Sequence, residues 1–240
     1  MINNKSVLAV IPARGGSKGV PLKNLRKVNG TPIVELAARI ACGVDTIDRI
    51  VVSTDHDAIA AAAVKGGADA PFMRPEELSG DRISDLQVLT HALRTMESLD
   101  QQTYDIVVML QPTSPMRTTK HVSDTIEALV NDSLDSAWTV SETETKAHPL
   151  KQLVVKDGRL GYYDQAGAKI IARQQLEPVY HRNGIAYAVT RSCLLEQKST
   201  MGKNCAPVIV RGDFVSIDTE LDFKLTDYYI QMKREADSRR

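Results

Sequence analysis

Two hydrophobic rhythms alternate along the chain. Short runs rich in β-branched residues recur between segments whose apolar positions repeat every three or four residues. Val7 to Ile11, Arg49 to Ser53, Tyr104 to Leu110, Asp135 to Val140, Ile185 to Thr190 and Pro207 to Arg211 read as strands. Helices are predicted over Thr31 to Cys42, Asp57 to Lys65, Asp85 to Leu99, His121 to Val130 and about Thr219 to Ala236. Thr31 is expected to cap the first helix, with Pro32 at its first position and Ile33, Leu36, Ala37 and Ile40 as its stripe. Gly66-Gly67 stops the second helix. Leu86, Leu89, Leu93 and Met96 lie at helical spacing in the third, and Leu221, Leu225, Tyr228 and Met232 share one face of the last. Strands alternating with helices predict an α/β fold, a mostly parallel sheet with crossover helices. The terminal Asp237-Ser238-Arg239-Arg240 is expected to fray.

The rhythm breaks between Ser141 and about Arg182. Gln152 to Lys156 and Arg159 to Tyr163 alternate around Asp157-Gly158, which reads as a hairpin. The stretch still carries Leu150, Leu153, Val155, Leu160 and Tyr162, so it is read as an inserted subdomain and not a linker. The division is residues 1–140 and 183–240 for the main domain, and 141–182 for the insertion.

Composition narrows the function classes. A chain of 240 residues suits one large α/β domain or a domain with a modest insertion. Thirty basic residues balance thirty acidic ones, so no basic stripe for nucleic acid is present, and 5% aromatic content argues against a base-stacking platform. Cys42, Cys193 and Cys205 have no C-x-x-C spacing and read as small residues in a reducing compartment. With no signal peptide and no apolar run near the ~20 residues of a membrane span, a cytoplasmic protein is expected.

Positive charge is instead concentrated in one place. Directly after the first strand come Ala13-Arg14-Gly15-Gly16-Ser17-Lys18-Gly19, then Lys23 and Asn24. Glycines let a backbone approach a ligand and turn its amides toward it, and Arg14, Lys18 and Lys23 add the charge a polyphosphate needs. Strand, cationic glycine loop and helix together point to a nucleoside triphosphate site. Neither the Walker loop nor the dinucleotide fingerprint fits, because Gly19 precedes Val20-Pro21 and Gly15 and Gly16 are adjacent. Ligands of open parallel sheets bind beyond the carboxyl ends of the strands, which also collects Asp55, Gln111 and Asp218.

The loop resembles the signature of the cytidylyltransferases that make CMP-activated nonulosonic acids, such as acylneuraminate cytidylyltransferase and its legionaminic and pseudaminic relatives. The resemblance returns in order at Val52-Ser53-Thr54-Asp55, Arg74-Pro75-x-Glu77-Leu78, Leu110-Gln111-Pro112-Thr113-Ser114-Pro115, Arg173-Gln174 with Asn183-Gly184, and Ile217-Asp218-Thr219-Glu220-Leu221-Asp222. It implies a three-layer αβα, Rossmann-like nucleotidyltransferase fold with a small inserted dimerisation subdomain. The implied reaction joins CTP to a nine-carbon α-keto acid sugar, giving CMP-sugar and pyrophosphate by attack of the anomeric hydroxyl on the α-phosphate.

By the same resemblance, Arg14, Ser17, Lys18 and Lys23 hold the triphosphate, assisted by backbone at Ala13, Gly15 and Gly16. Arg14 and Lys23 serve the α-phosphate and leaving group, and Asn24 and Arg74 contact the cytidine. Gln111, Arg173, Gln174 and Tyr187 meet the sugar, with Lys151 a second candidate for its carboxylate. In such relatives the insertion crosses to a neighbouring subunit, so a homodimer is expected, with no nucleic acid or membrane partner. A divalent ion, Mg²⁺, is expected on Asp218. Ser216 stands where sialic acid enzymes often carry the first aspartate of an Asp-x-Asp pair, and Asp222 lies far along the helix. Arg117 is read as support for the Gln111 loop, and His148 as structural. The rival readings are a 3-deoxy-manno-octulosonate cytidylyltransferase, which fits worse at Gln111-Pro112-Thr113-Ser114-Pro115, and a silent nucleotide-binding regulator.

Overall fold

A computed structural model describes residues 1–238. In chain order its elements are β1 (Val7–Pro12), β2 (Lys27–Val28), β3 (Thr31–Pro32), α1 (Ile33–Cys42), β4 (Arg49–Ser53), α2 (Asp57–Lys65) and α3 (Asp85–Asp100). Then follow β5 (Ile106–Met109), α4 (Thr119–Asn131), β6 (Ser136–Glu142), β7 (Leu153–Lys156), β8 (Arg159–Tyr162), β9 (Tyr180–Thr190), α5 (Arg191–Leu195), β10 (Cys205–Ile209) and α6 (Glu220–Ser238). Arg239 and Arg240, expected to fray, lie outside the described residues.

The chain forms two compact units. The larger comprises residues 1–139, 183–208 and 212–240, and the smaller 140–182 and 209–211. The central sheet has the order β10-β6-β9-β5-β1-β4. β1 is parallel to both of its neighbours, β4 and β5, whereas β9 runs antiparallel to β5. Val7 to Ile11 are wholly buried, as an unbroken apolar run in a two-sided sheet must be. Leu8 and Val10 point into a cluster with Leu89, Leu93 and Met96 of α3 and Leu194 of α5. The pleat then turns Ala9 and Ile11 to the opposite face, the side of α1, α2 and α4. These are the three expected layers.

Three local expectations are corrected. Thr31 does not cap α1; it pairs with Val28 across a tight hairpin, and Pro32 takes the N-cap position without a side-chain hydrogen bond. The cause is Asn29-Gly30, both at positive φ (48° and 80°), the pair that a primed two-residue turn favours. The buried face of α1 is Ile33, Val34, Ala37, Ala38 and Ala41, so Leu36 and Ile40 sit at its margin. In α6 the predicted stripe is real but faces outward: Leu221 and Tyr228 are 62% and 56% exposed. Phe223 and Ile230 instead pack on Val20, Val28, Ile33 and Ile217. The Asp222 carboxylate ties down the helix start, accepting from the amides of Asp218 (2.9 Å) and Thr219 (2.7 Å).

Within the smaller unit, β7 and β8 pair around Asp157 (φ 51°) and Gly158 (φ 72°). Register places Leu153 opposite Tyr162 and Val155 opposite Leu160. All four are on one face of the hairpin and exposed. No helix among the described residues is long and apolar enough to cross a membrane.

Candidate active site

A cavity of about 650 Å³ opens at the carboxyl ends of β1, β4 and β5 in the larger unit. Arg14, Ser17, Lys18, Lys23, Asn24, Arg74, Gln111 and Asp218 all line it, drawn from four separate stretches of the sequence. The main chain after β1 is held in place before any ligand arrives. Ala13 donates its amide to the Ser53 carbonyl (2.9 Å), and the Gly15 amide donates to Asp55 Oδ1 (2.7 Å). A Cβ at Gly15 would lie 3.1 Å from the His56 ring, whose Nδ1 caps α2 by accepting from Ala58 N. Gly19 passes so close to Asp218 that a Cβ there would stand 2.8 Å from its carbonyl oxygen. Gly16 meets nothing.

The cations face carboxylates. Lys23 Nζ donates to the Ile217 carbonyl (2.9 Å) and to Asp218 Oδ1 (3.0 Å). Arg14 Nη1 pairs with Asp81 Oδ1 at 2.8 Å, and Lys18 pairs with the other oxygen of Asp81. These contacts hold the Asp81 carboxyl below the usual carboxylate range, Lys18 contributing most. At Asp222 burial raises the carboxyl pKa, but the hydrogen bonds from the amides of Asp218 and Thr219 outweigh it and the net shift is downward. Asp222 is therefore a helix cap.

Two expected cytidine contacts also have structural work. Asn24 is buried and donates from Nδ2 to the Arg14 carbonyl (2.9 Å). Arg74 is buried against the end of β4, where Nε donates to Ser53 Oγ (3.0 Å) and Nη2 to the Ser53 carbonyl. Burial pushes its guanidinium down to about 10, against the opposing pull of Asp55.

The far wall is the Gln111 loop. Arg117, 3% exposed, donates from Nη2 to the carbonyls of Gln111 and of Gly184 (2.9 Å to the latter). Its Nε and Nη1 are buried without hydrogen-bond partners, and burial pulls the group down to about 9. Ser114 Oγ donates to the Asn183 carbonyl (2.7 Å), and the Thr113 carbonyl accepts from Ile217 N (2.9 Å). Tyr187 lies beneath this loop and outside the cavity lining, stacked on Trp138 at 4.8 Å, with its hydroxyl accepting from Gly184 N (2.6 Å).

Lys151, Arg173 and Gln174 belong to the smaller unit. Arg173 and Gln174 line a separate cavity of about 290 Å³ there, with His148 and Glu177, while Lys151 is exposed. His148 is structural as expected: Nδ1 accepts from Leu150 N, which leaves Nε2 to donate to the Glu177 carbonyl (3.1 Å).

The sequence reading missed Asp81 and Asp85, both on the cavity wall. Asp85 opens α3 beside the Ser84–Gln87 capping box and carries the signal of an ordinary helix start. Asp81 follows Gly80 just beyond the Arg74-Pro75 motif, and that adjacency was the available clue.

A cytidylyltransferase family model matches residues 8–208. The chain is 31% identical to a CMP-N,N'-diacetyllegionaminic acid synthase of Campylobacter jejuni, over 95% of this chain and 96% of that one. It is 32% identical to an N-acylneuraminate cytidylyltransferase of Streptococcus agalactiae, over 90% of this chain and 51% of that longer one. Among solved structures, a CMP:2-keto-3-deoxy-manno-octonic acid synthetase complexed with CTP superposes with a TM-score of 0.72. At 22% identity, over 95% of this chain and all of that one, it shares the fold alone.

Proposed function

This chain belongs to the cytidylyltransferase family, and from that premise we propose that it is a CMP-nonulosonate synthetase. It would join CTP to a nine-carbon α-keto acid sugar and release pyrophosphate. The carrying observation is the single cavity in which Arg14, Lys18 and Lys23 face the Gln111 loop. A triphosphate lying along the glycine loop has cations for its phosphates, and its α-phosphate faces the wall where a second substrate enters. In-line displacement of pyrophosphate asks for positioning and charge neutralisation more than covalent chemistry. Arg14 and Lys23 supply the neutralisation at the α-phosphate and leaving group. Ser17, Lys18 and the main chain at Gly16 grip the remaining phosphates, while the Ala13 and Gly15 amides, held by the Ser53 carbonyl and Asp55, shape the loop that carries Arg14. Asn24 and Arg74, already fixed by Arg14 and Ser53, form a rigid edge for the cytosine and ribose.

A divalent ion belongs to this reading. One carboxylate with phosphate oxygens and water is an ordinary Mg²⁺ donor set. Asp218 fits that set, with the Ser216 hydroxyl on the same wall, whereas Asp222 is engaged as a cap. When bound, the ion would neutralise phosphate charge. Lys23, now paired with Asp218, would then turn to the phosphates.

The smaller unit is read as the dimerisation element. The exposed apolar face of Leu153, Val155, Leu160 and Tyr162 supports a homodimer, because an uncovered hairpin of this kind is marginal in water. In that homodimer Arg173, Gln174 and Lys151 serve the sugar in the partner's site, Arg173 as a bidentate match for its carboxylate. Val155→Asp should halve the mass measured by light scattering.

The test of function is pyrophosphate release with CTP and Mg²⁺, run in parallel with sialic, legionaminic and pseudaminic acids. Release with one sugar well above the others is expected. No release with any of them, with CTP still bound, would replace this reading by a binding protein without turnover.

A further inference from the structure

The Asp81 carboxylate on the cavity wall has no place in the reaction described above. Asp81 grips Arg14 with one oxygen and Lys18 with the other, and both cations line the cavity beside it. The two bonds arrange a carboxylate between two basic side chains as a phosphate group would sit there. We propose that Asp81 is an internal competitor for the polyphosphate: it occupies Arg14 and Lys18 in the nucleotide-free protein, is displaced as a triphosphate enters, and returns as pyrophosphate leaves. The proposal rests on the reading of the glycine loop as a phosphate site.

Three features of the segment support displacement over a fixed ligand role. Asp81 is itself 38% exposed at its side chain, and its partner Lys18 is 80% exposed, so the contact opens to water without unpacking anything. The preceding Gly80 has only Ile83 near the position of a Cβ, at 3.8 Å, so the main chain has room to swing. The segment lies between the short helix Glu76–Leu78 and the start of α3, whose Ser84–Gln87 capping box does not involve it. Exposed ion pairs are weak, each shifting an equilibrium by no more than about fivefold. A triphosphate carries several negative charges and outcompetes one carboxylate, while the same carboxylate hastens departure of the smaller pyrophosphate. A residue that merely positioned Arg14 would have the opposite signature, since its loss would weaken nucleotide binding.

The experiment titrates CTP, cytidine and inorganic tripolyphosphate into the wild-type protein and Asp81→Asn by calorimetry, without sugar, so that nothing turns over. Asp81→Asn should bind CTP and tripolyphosphate roughly five- to tenfold more tightly, with cytidine changed less than twofold. Stopped-flow displacement should show slower pyrophosphate release from the variant. Weaker or unchanged CTP and tripolyphosphate binding overturns the proposal, as does equal tightening of cytidine. If wild type binds tripolyphosphate but not CTP, the nucleotide reading fails, and the tripolyphosphate comparison still decides the competitor. If tripolyphosphate binds neither protein, the competitor is refuted.

Discussion

Gly184→Ala isolates the coupling between backbone geometry and the Gln111 wall. Gly184 has φ +70°, and a Cβ there would stand 2.6 Å from Gln111 Oε1 and 2.7 Å from Ser114 Oγ. The left-handed conformation costs an L-residue about 1–2 kcal/mol. Ser114 is 3% exposed and cannot retreat without breaking its hydrogen bond to the Asn183 carbonyl, which adds about 1 kcal/mol. Gln111 Oε1 ends a flexible side chain and moves more cheaply, but its escape is away from Gly184. The total is about 2–3 kcal/mol, or about 4–12 °C in Tm for a chain of this size. Trp138, the chain's single tryptophan, stacks on Tyr187 three residues along the same strand and reports the unfolding of this region. A urea melt followed by its fluorescence measures the loss, and the KM of the acid sugar should rise with CTP affinity near normal. Gly16→Ala is the control for the urea melt alone, since a Cβ there meets nothing within 4 Å and no positive φ is required. A Gly184→Ala protein within about 0.5 kcal/mol of wild type, the ordinary range of surface changes, would refute the steric argument.

Arg14→Ala should lower kcat by roughly 100-fold or more if the guanidinium serves the transition state, and near-normal turnover would remove it from that role. Arg173→Ala should raise KM for the acid sugar while leaving that for CTP close to wild type; an equal effect on both would make it structural. Ser84→Ala should cost about 1 kcal/mol in a urea melt because its hydroxyl caps α3, whereas Thr31→Ala, which caps nothing, should stay within about 0.5 kcal/mol.

Much of the sheet was legible because its strands are buried on both faces and therefore read as unbroken apolar runs. Arg49–Ser53 and Asp57–Lys65 have the expected bounds, the helix because Gly66-Gly67 is an unambiguous stop. The hairpin at Asp157-Gly158 was legible from turn chemistry alone. The phase of a helix was harder to read. In α6 the spacing of Leu221, Leu225, Tyr228 and Met232 gave a correct period, but which side is buried depends on where Phe223 finds the Val20–Val28–Ile33 cluster. At Thr31 the strong Pro signal for a helix start competed with the Asn29-Gly30 turn, and the turn prevailed because two positive φ values commit the chain to a hairpin. Asp81 was invisible for a different reason. Its role is a relation to Arg14 and Lys18 across more than sixty residues, and no local pattern encodes that.

The positions matched by resemblance divide by what already holds their polar atoms. Arg14, Lys18 and Lys23 hold carboxylates at the cavity surface, contacts that a charged ligand can exchange for its own. The Gly15 amide, Asn24 and Arg74 hold protein groups that no ligand replaces: Asp55, the Arg14 carbonyl and the β4 end. Loss of the first kind leaves the cavity intact and removes charge. Loss of Arg74 leaves the buried Ser53 acceptors unpaired, at about 1–3 kcal/mol, and loss of Asn24 releases the main chain that carries Arg14. Inactivity alone therefore does not make Arg74 a cytidine contact. Arg74→Lys shows which role dominates, because a single ammonium cannot reach both Ser53 oxygens as the planar guanidinium does. A fall in Tm together with weaker CTP binding assigns Arg74 to the scaffold, and weaker CTP binding at unchanged Tm assigns it to the ligand.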